Sequence, residues 1–128
     1  MTGEMFKVII ADDHPLFRLA LRESLSGVVS LAEIVEAACL DETLAALDDN
    51  GGDLILLDLR MPGAQGLSGL MFLRGHYPEI PIIVISGVDE PEIMRRAIDG
   101  GASGYIPKST PPDQLAAIIG RIIAGDTW

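Results

Sequence analysis

Five side chains suited to metal or phosphoryl chemistry follow short apolar stretches of this 128-residue sequence. The stretches at residues 54–57 and 80–85 are apolar enough to be strands buried on both faces of a parallel sheet. The polar groups stand at the carboxyl ends of predicted strands: Asp12, Asp13, Asp58, Ser86 and Lys108. Each residue alone has a simpler interpretation, as a turn cap or a solvated loop residue. All five together indicate a shared site.

The chemistry of such a site follows from where parallel strands end. Their carboxyl ends lie along one edge of the sheet, where ligands bind. Three carboxylates at that edge repel one another, so the site is stable only with a cation or with protonation. A few oxygen ligands, completed by water, suit Mg²⁺. A divalent ion beside a nucleophilic carboxylate, an ammonium and a hydroxyl is an arrangement for phosphoryl transfer. His14 and His76 are isolated, and we interpret them as structural or surface residues rather than zinc ligands.

The elements that must position these groups alternate between strand and helix five times. Strands are predicted at residues 6–11, 32–37, 54–57, 80–85 and 103–106, and helices at about 15–26, 41–49, 70–74, 90–99 and from 112 onward. The first helix should end at Gly27 and turn four residues inward: Leu16, Leu19, Ala20 and Leu25. Asp41 and Asp89 should cap the second and fourth helices. The alternation predicts an α/β domain with helices on both faces of a parallel sheet.

Composition excludes several classes of protein. A formal charge of −10 argues against direct binding of nucleic acid, which requires a basic surface. The single cysteine, Cys39, excludes an intramolecular disulfide and suits a reducing compartment. No apolar run approaches the length of a membrane span, and the N-terminus lacks a signal-peptide pattern. We therefore expect a cytoplasmic protein with no membrane partner.

Three separated segments resemble the receiver domain of bacterial two-component response regulators. They are VIIADDHPL at residues 8–16, LLDLRMP at 56–62 and GASGYIPK at 101–108. The Asp-Asp-His-Pro opening and the Gly-Ala-Ser-Gly-Tyr segment are typical of NarL/FixJ (LuxR-type) transcriptional regulators. The resemblance covers essentially the whole chain. It implies a flavodoxin-like, doubly wound (βα)5 fold with a five-stranded parallel sheet in the order 2-1-3-4-5.

The resemblance also implies a role for each site residue. Asp58 would accept a phosphoryl group from a sensor histidine kinase, and Mg²⁺ would be held by Asp12, Asp13, Asp58 and the backbone carbonyl of Arg60. Lys108 would bridge Asp58 and the phosphoryl group. Ser86 would respond to phosphorylation, with Tyr105 as an aromatic switch, although Tyr105 is equally well a half-buried strand residue. Ser109 follows Lys108 where many receivers have proline, so we expect a trans peptide bond there.

Three rival interpretations use the same features. An aspartyl-phosphate phosphatase of the haloacid-dehalogenase type needs an acid two residues after its nucleophile, where this sequence has Arg60. A flavodoxin-like cofactor binder needs a phosphate-binding loop after the first strand, where acids stand instead. A receiver that acts without phosphorylation, as a protein-interaction module, is the alternative function. We expect a switch rather than an enzyme, with only self-phosphorylation and self-dephosphorylation chemistry.

The last helix suggests how the domain meets a partner. Its apolar residues exceed what one buried face needs: Leu115, Ala116, Ala117, Ile118, Ile119, Ile122 and Ile123. We predict that the remainder forms a partner or homodimer surface; a deeply buried helix is the alternative. Residues 1–128 are interpreted as the receiver of a longer regulator that binds DNA only through a C-terminal helix-turn-helix domain absent from this sequence. A natural single-domain regulator is the other interpretation.

Overall fold

A computed structural model describes residues 6–26, 32–48, 51–61, 64–87 and 90–123. Several sequence predictions fall outside these ranges. They concern the helix end at Gly27, the cap at Asp89 and any part of the last helix beyond residue 123.

The sheet has five parallel strands in the order β2-β1-β3-β4-β5. The strands are β1 (Phe6–Ala11), β2 (Ala32–Ala37), β3 (Leu54–Leu57), β4 (Ile82–Ser86) and β5 (Gly104–Pro107). β1 lies inside the sheet, where it pairs with both β2 and β3. This confirms the predicted flavodoxin-like arrangement, including β2 as an edge strand that exposes Glu33 and Glu36.

Two hydrophobic cores form because alternate residues of each strand point to opposite faces of the sheet. On one face, Val8 and Ile10 of β1 pack with residues of α1 (Pro15–Ser26) and α5 (Pro112–Ile123). On the other face, Ile9 and Ala11 pack with residues of α2 (Leu40–Asp48), α3 (Ser68–His76) and α4 (Pro91–Asp99). A two-residue antiparallel hairpin, Arg60–Met61 with Ala64–Gln65, follows β3.

The prediction of which residues of α1 face inward was partly wrong. Leu16 and Leu19 are 82% and 50% exposed, whereas Leu21 and Leu25 are buried and Phe17 is partly buried. Phe17, Leu21 and Leu25 are spaced by four, so these inward-facing residues form one stripe of the helix. Leu16 and Leu19 lie outside that stripe and form an apolar patch in solvent.

Two further predictions about helices need correction. Asp41 does not cap α2, because it lies within the first turn, while the carboxylate of Glu42 accepts a hydrogen bond of 2.7 Å from the backbone N–H of Ala38. α5 buries Leu115, Ile119 and Ile122, and its described side chains include no large exposed hydrophobic residue. Among its other described apolar residues, Ala116 and Ile118 are partly buried and Ala117 is exposed. The exposed large apolar side chains of the described part of the chain lie on α1 and α3 instead.

The turn between α4 and β5 carries a backbone constraint. Gly101 has φ = +107°, a conformation that side chains with a Cβ rarely adopt. A Cβ at this position would lie 2.6 Å from Nε of Arg74 on α3. The peptide bond between Lys108 and Ser109, just after β5, is trans as expected.

Candidate functional site

Main-chain hydrogen bonds extend the sheet one residue beyond three strand ends and fix the site residues there. The N–H of Asp12 donates to the carbonyl of Ala37 at 2.9 Å, and that of Asp58 to the carbonyl of Ala11 at 2.9 Å. The N–H of Lys108 donates to the carbonyl of Ser86 at 2.8 Å. These positions are therefore set by the sheet rather than by loops.

Asp12 and Asp58 form the buried base of the site, with only 2% and 3% of their surfaces exposed. Oδ1 of Asp58 accepts a hydrogen bond of 3.2 Å from the backbone N–H of Arg60. Asp13 is more open, with its side chain 33% exposed, yet its Oδ1 is buried and receives no hydrogen bond. Two buried carboxylates and an orphaned carboxylate oxygen thus lie at the same edge.

Lys108 supplies the positive charge at this edge. Its Nζ lies 2.8 Å from Oδ2 of Asp12 and 3.3 Å from Oδ2 of Asp58. The ammonium also lies 4.7 Å from the centre of the Phe17 ring. Because buried carboxylates are costly without a counter-charge, the ammonium stabilises both of them.

Ser86 and Tyr105 are buried residues of the neighbouring strands β4 and β5. Ser86 is fully buried at the end of β4, opposite Pro107 of β5. Tyr105 is 4% exposed and belongs to the core beneath α4, beside a surface depression that includes Met94 and Ile98. The interpretation of Tyr105 as half-buried is therefore wrong: the residue is a core aromatic.

His14 is a member of the site that was not predicted from the sequence. Its Nδ1 lies 3.0 Å from Oδ1 of Asp12, 3.2 Å from Oδ1 of Asp13 and 3.7 Å from Oδ2 of Asp58. The four ligand atoms all lie within 4.8 Å of one another. The signal was adjacency to Asp12-Asp13, which a search for zinc-ligand spacing does not detect. His76, by contrast, is a surface residue of α3 that stacks on Phe72, as predicted.

An arginine pair links the site to the edge strand. Arg18 of α1 donates from Nη1 to the backbone carbonyl of Asp12 at 2.6 Å and from Nε to Glu36 at 2.9 Å. Arg22 donates from Nε to the other oxygen of Glu36 at 2.9 Å. The hydrogen bond from Arg22 is the main cause of a lowered pKa at Glu36; burial opposes it and Arg18 reinforces it. Arg18 thereby ties the main chain of Asp12 to β2.

The site opens into a crevice whose lining includes Asp58, Arg60, Gly87 and Lys108. Buried oxygen donors, an ammonium and an opening to solvent together permit a cation and a phosphoryl group to enter. Tyr105 belongs to the core beneath α4. All the other predicted site residues lie at or near this edge of the sheet. The position of the Arg60 carbonyl relative to the carboxylates stays a prediction.

Comparison with known proteins gives a consistent result. Residues 8–120 match the model of the response regulator receiver domain. A glycerol metabolism activator of Pseudomonas putida is 41% identical over 125 residues, which are 97% of this chain and 57% of that protein. The chain thus spans little more than half of that relative.

Two solved structures show the same fold. The receiver domain of a putative NarL from Mycobacterium tuberculosis is 30% identical, with a TM-score of 0.82 over 95% of this chain and 98% of that one. The isolated receiver of RcsB from Salmonella enterica serovar Typhimurium, solved with the phosphomimetic BeF3−, is 25% identical, with a TM-score of 0.88 over 98% and 93%. The chain belongs to the response-regulator receiver domain family, among the NarL/FixJ-type receivers of two-component signalling.

Proposed function

We propose that Asp58 accepts a phosphoryl group from the phosphohistidine of a sensor histidine kinase, or from a small acyl phosphate, and that the domain then changes the surface it offers to a partner. The observation that carries this proposal is the position of the Lys108 ammonium between Asp12 and Asp58 at the mouth of the crevice. The family consists of signalling switches rather than classical enzymes. We therefore propose self-phosphorylation and self-dephosphorylation as the only chemistry.

The side chains at the edge fit Mg²⁺. Nζ of Lys108 lies among carboxylate oxygens that stabilise its positive charge, and they would stabilise a metal ion in the same way. Oδ1 of Asp13 is buried without a hydrogen bond. Asp12, Asp13, Asp58 and the carbonyl of Arg60 would hold the ion, which supplies charge neutralisation for the phosphoryl oxygens when bound.

The chain's own residues perform the transfer. A carboxylate oxygen of Asp58 forms the new bond to phosphorus as the donor's phosphorus–nitrogen or phosphorus–oxygen bond breaks, and the donor leaves with those electrons. Lys108 stabilises negative charge on the transferring group. After the transfer, the hydroxyl of Ser86 donates a hydrogen bond to a phosphoryl oxygen, so that the β4–α4 loop moves inward.

Labelling with radioactive acetyl phosphate tests the acceptor. We expect stoichiometric labelling of the native chain with Mg²⁺ and none of Asp58→Asn. Asp41→Asn, at an exposed position of α2, removes the same charge from a residue outside the proposed site and should label normally. Retained labelling of Asp58→Asn would refute the assignment, as would equal loss in Asp41→Asn.

The switch is tested with fluorotyrosine NMR, because the chain has only two tyrosines, Tyr77 and Tyr105. We propose that phosphorylation shifts the Tyr105 resonance, that Ser86→Ala abolishes the shift while Asp58 is still labelled, and that the Tyr77 resonance stays in place. A Tyr105 resonance that does not respond to BeF3− in the native chain would favour the alternative, a phosphorylation-independent interaction module.

We propose what the domain regulates from the name and the length of a relative. The P. putida relative is named as an activator, and this chain matches only part of its length. We propose that residues 1–128 act as the receiver of a longer cytoplasmic regulator that contacts DNA through a C-terminal domain. The structure contains no helix long and apolar enough to span a membrane among its described residues. Electrophoretic mobility shifts should show DNA binding by the longer protein and none by this domain alone.

A homodimer also stays a prediction. We propose that the exposed Leu16 and Leu19 of α1, rather than residues of α5, supply its apolar surface. Light scattering with and without BeF3− measures it. We expect a dimer at high concentration in the phosphomimetic state, and a strict monomer in both states would contradict the prediction.

A further inference from the structure

We infer that the imidazole of His14 is a nitrogen ligand for the cation held by Asp12, Asp13 and Asp58, so that the site favours Mn²⁺ and similar transition-metal ions over Mg²⁺. This inference rests on the cation site of the proposed function and adds a ligand to it.

The distances between the ligand atoms fit a shared cation. An octahedral ion with ligands about 2.1 Å away separates neighbouring ligand atoms by about 3.0 Å. Nδ1 of His14 lies 3.0 Å from Oδ1 of Asp12 and 3.2 Å from Oδ1 of Asp13. The imidazole nitrogen therefore keeps the spacing of an adjacent ligand to two carboxylate oxygens.

The Lys108 ammonium marks where positive charge belongs among these atoms. Its Nζ lies 2.9 Å from Nδ1 of His14, besides its contacts with Asp12 and Asp58. An ammonium only donates hydrogen bonds, so the contact with Lys108 is a hydrogen bond in the tautomer whose proton is on Nε2. In that tautomer the Nδ1 lone pair points into the same space as the carboxylate oxygens, which is the arrangement that a metal ion requires.

The main chain holds His14 in this position. Its backbone N–H donates to Oδ1 of Asp12 at 2.7 Å, and its carbonyl accepts from the N–H of Arg18 at 3.0 Å, in the first turn of α1. Its side chain is 60% exposed, so the ring is free of the packing that would prevent a small adjustment toward a bound ion.

An imidazole ligand changes which ions the site prefers. Mg²⁺ selects oxygen ligands and retains water, whereas Mn²⁺ binds carboxylates and also accepts histidine beside them, as in di-manganese carboxylate sites. We therefore expect His14 to add affinity for Mn²⁺ and little for Mg²⁺.

Pulsed EPR of bound Mn²⁺ tests this directly, because the sequence has only two histidines, His14 and His76. The native protein should show the nitrogen modulation of a coordinated imidazole. His14→Phe should lose the modulation while it still binds Mn²⁺, and the control His76→Phe should keep it. By calorimetry, His14→Phe should weaken Mn²⁺ binding about tenfold and leave Mg²⁺ binding nearly unchanged.

A second measurement needs no variant. Incorporation of ¹⁵N-histidine into the native protein should replace the ¹⁴N modulation pattern with that of ¹⁵N. Bound Mn²⁺ without nitrogen modulation overturns the inference and leaves the proposed function intact. Equal weakening of Mn²⁺ and Mg²⁺ binding in His14→Phe also overturns it, because His14 would then only position Asp12. Absence of any Mn²⁺ or Mg²⁺ binding would refute the proposed cation site itself.

Discussion

Lys108 lies closer to Asp12 than to the proposed acceptor: the Nζ–Oδ2 distance is 2.8 Å to Asp12 and 3.3 Å to Asp58. Asp12 follows β1 and Lys108 follows β5, and these two strands are separated in the sheet by β3 and β4. The long lysine side chain therefore reaches across the carboxyl edge of the sheet. Its ammonium is a counterion for the carboxylates and so competes with any metal ion that they bind.

Replacement of Lys108 by Met should tighten Mg²⁺ binding about tenfold, because a positive charge a few ångströms from the carboxylates is removed. Isothermal titration calorimetry measures the dissociation constant. Arg95→Met, on the exposed side of α4, removes the same charge away from the site and should leave the constant unchanged. Unchanged or weaker binding in Lys108→Met would contradict competition between the ammonium and the ion.

Arg18 should support cation binding through the main chain of Asp12. Arg18→Met removes the hydrogen bond to the Asp12 carbonyl, and we expect Mg²⁺ binding to weaken about three- to tenfold. Arg22→Met is the matched control, since Arg22 shares Glu36 with Arg18 but donates to the carbonyl of Ile34. Equal weakening in both variants would show that the pairing with Glu36, rather than the contact with Asp12, is responsible.

Glu36 should give a pH-dependent contribution to stability. Its pKa is lowered in the folded state, chiefly by Arg22, so its contribution is present above the ordinary value of 4.5 and is lost as the pH falls through the lowered pKa. Glu36→Gln should reduce the free energy of unfolding by about 1 kcal/mol or less at pH 7. Urea titrations from pH 7 to pH 3.5 should show this difference shrinking toward the acid end.

The control for that titration is Glu33→Gln, which makes the same charge change at an exposed position of β2. We expect it to change the pH dependence less than Glu36→Gln does. If the two variants show the same pH dependence, the arginine pair is not its cause.

Gly101→Ala should destabilise the domain by about 1–3 kcal/mol, because φ = +107° is strained for alanine and its Cβ would meet Arg74. Gly75→Ala on α3 meets no atom within 4 Å, and we expect it to stabilise by up to about 1 kcal/mol. Denaturant unfolding measures both.

A double-mutant cycle separates the two causes at Gly101. On an Arg74→Ala background, Gly101→Ala should cost less than in the native chain, because the steric part is gone, and still about 1 kcal/mol for the backbone. No cost on that background would show that backbone strain is unimportant.

The resemblance to receiver domains was sufficient to predict the sheet order, and the apolar strands were sufficient to place the polar residues at strand ends. A strand buried on both faces has a strong apolar signature, and its first polar residue marks the edge, as at Asp58 and Ser86. Less predictable was the rotation of α1, because Leu16, Leu19, Leu21 and Leu25 are equally apolar and only packing chooses among them. His14 and Arg18 were missed as site residues because their contacts depend on where the α1 backbone leaves β1.

The position of Lys108 after the last strand has a consequence for the order of events during synthesis. Asp12 and Asp58 leave the ribosome well before Lys108, yet the charge that stabilises both carboxylates arrives only with β5. We expect that a nascent chain cannot accept a phosphoryl group until this last strand joins the sheet, and that it gains this reactivity in one step. Acetyl phosphate labelling of ribosome-arrested chains of increasing length would show that step. Incomplete chains would then not be phosphorylated and would not signal.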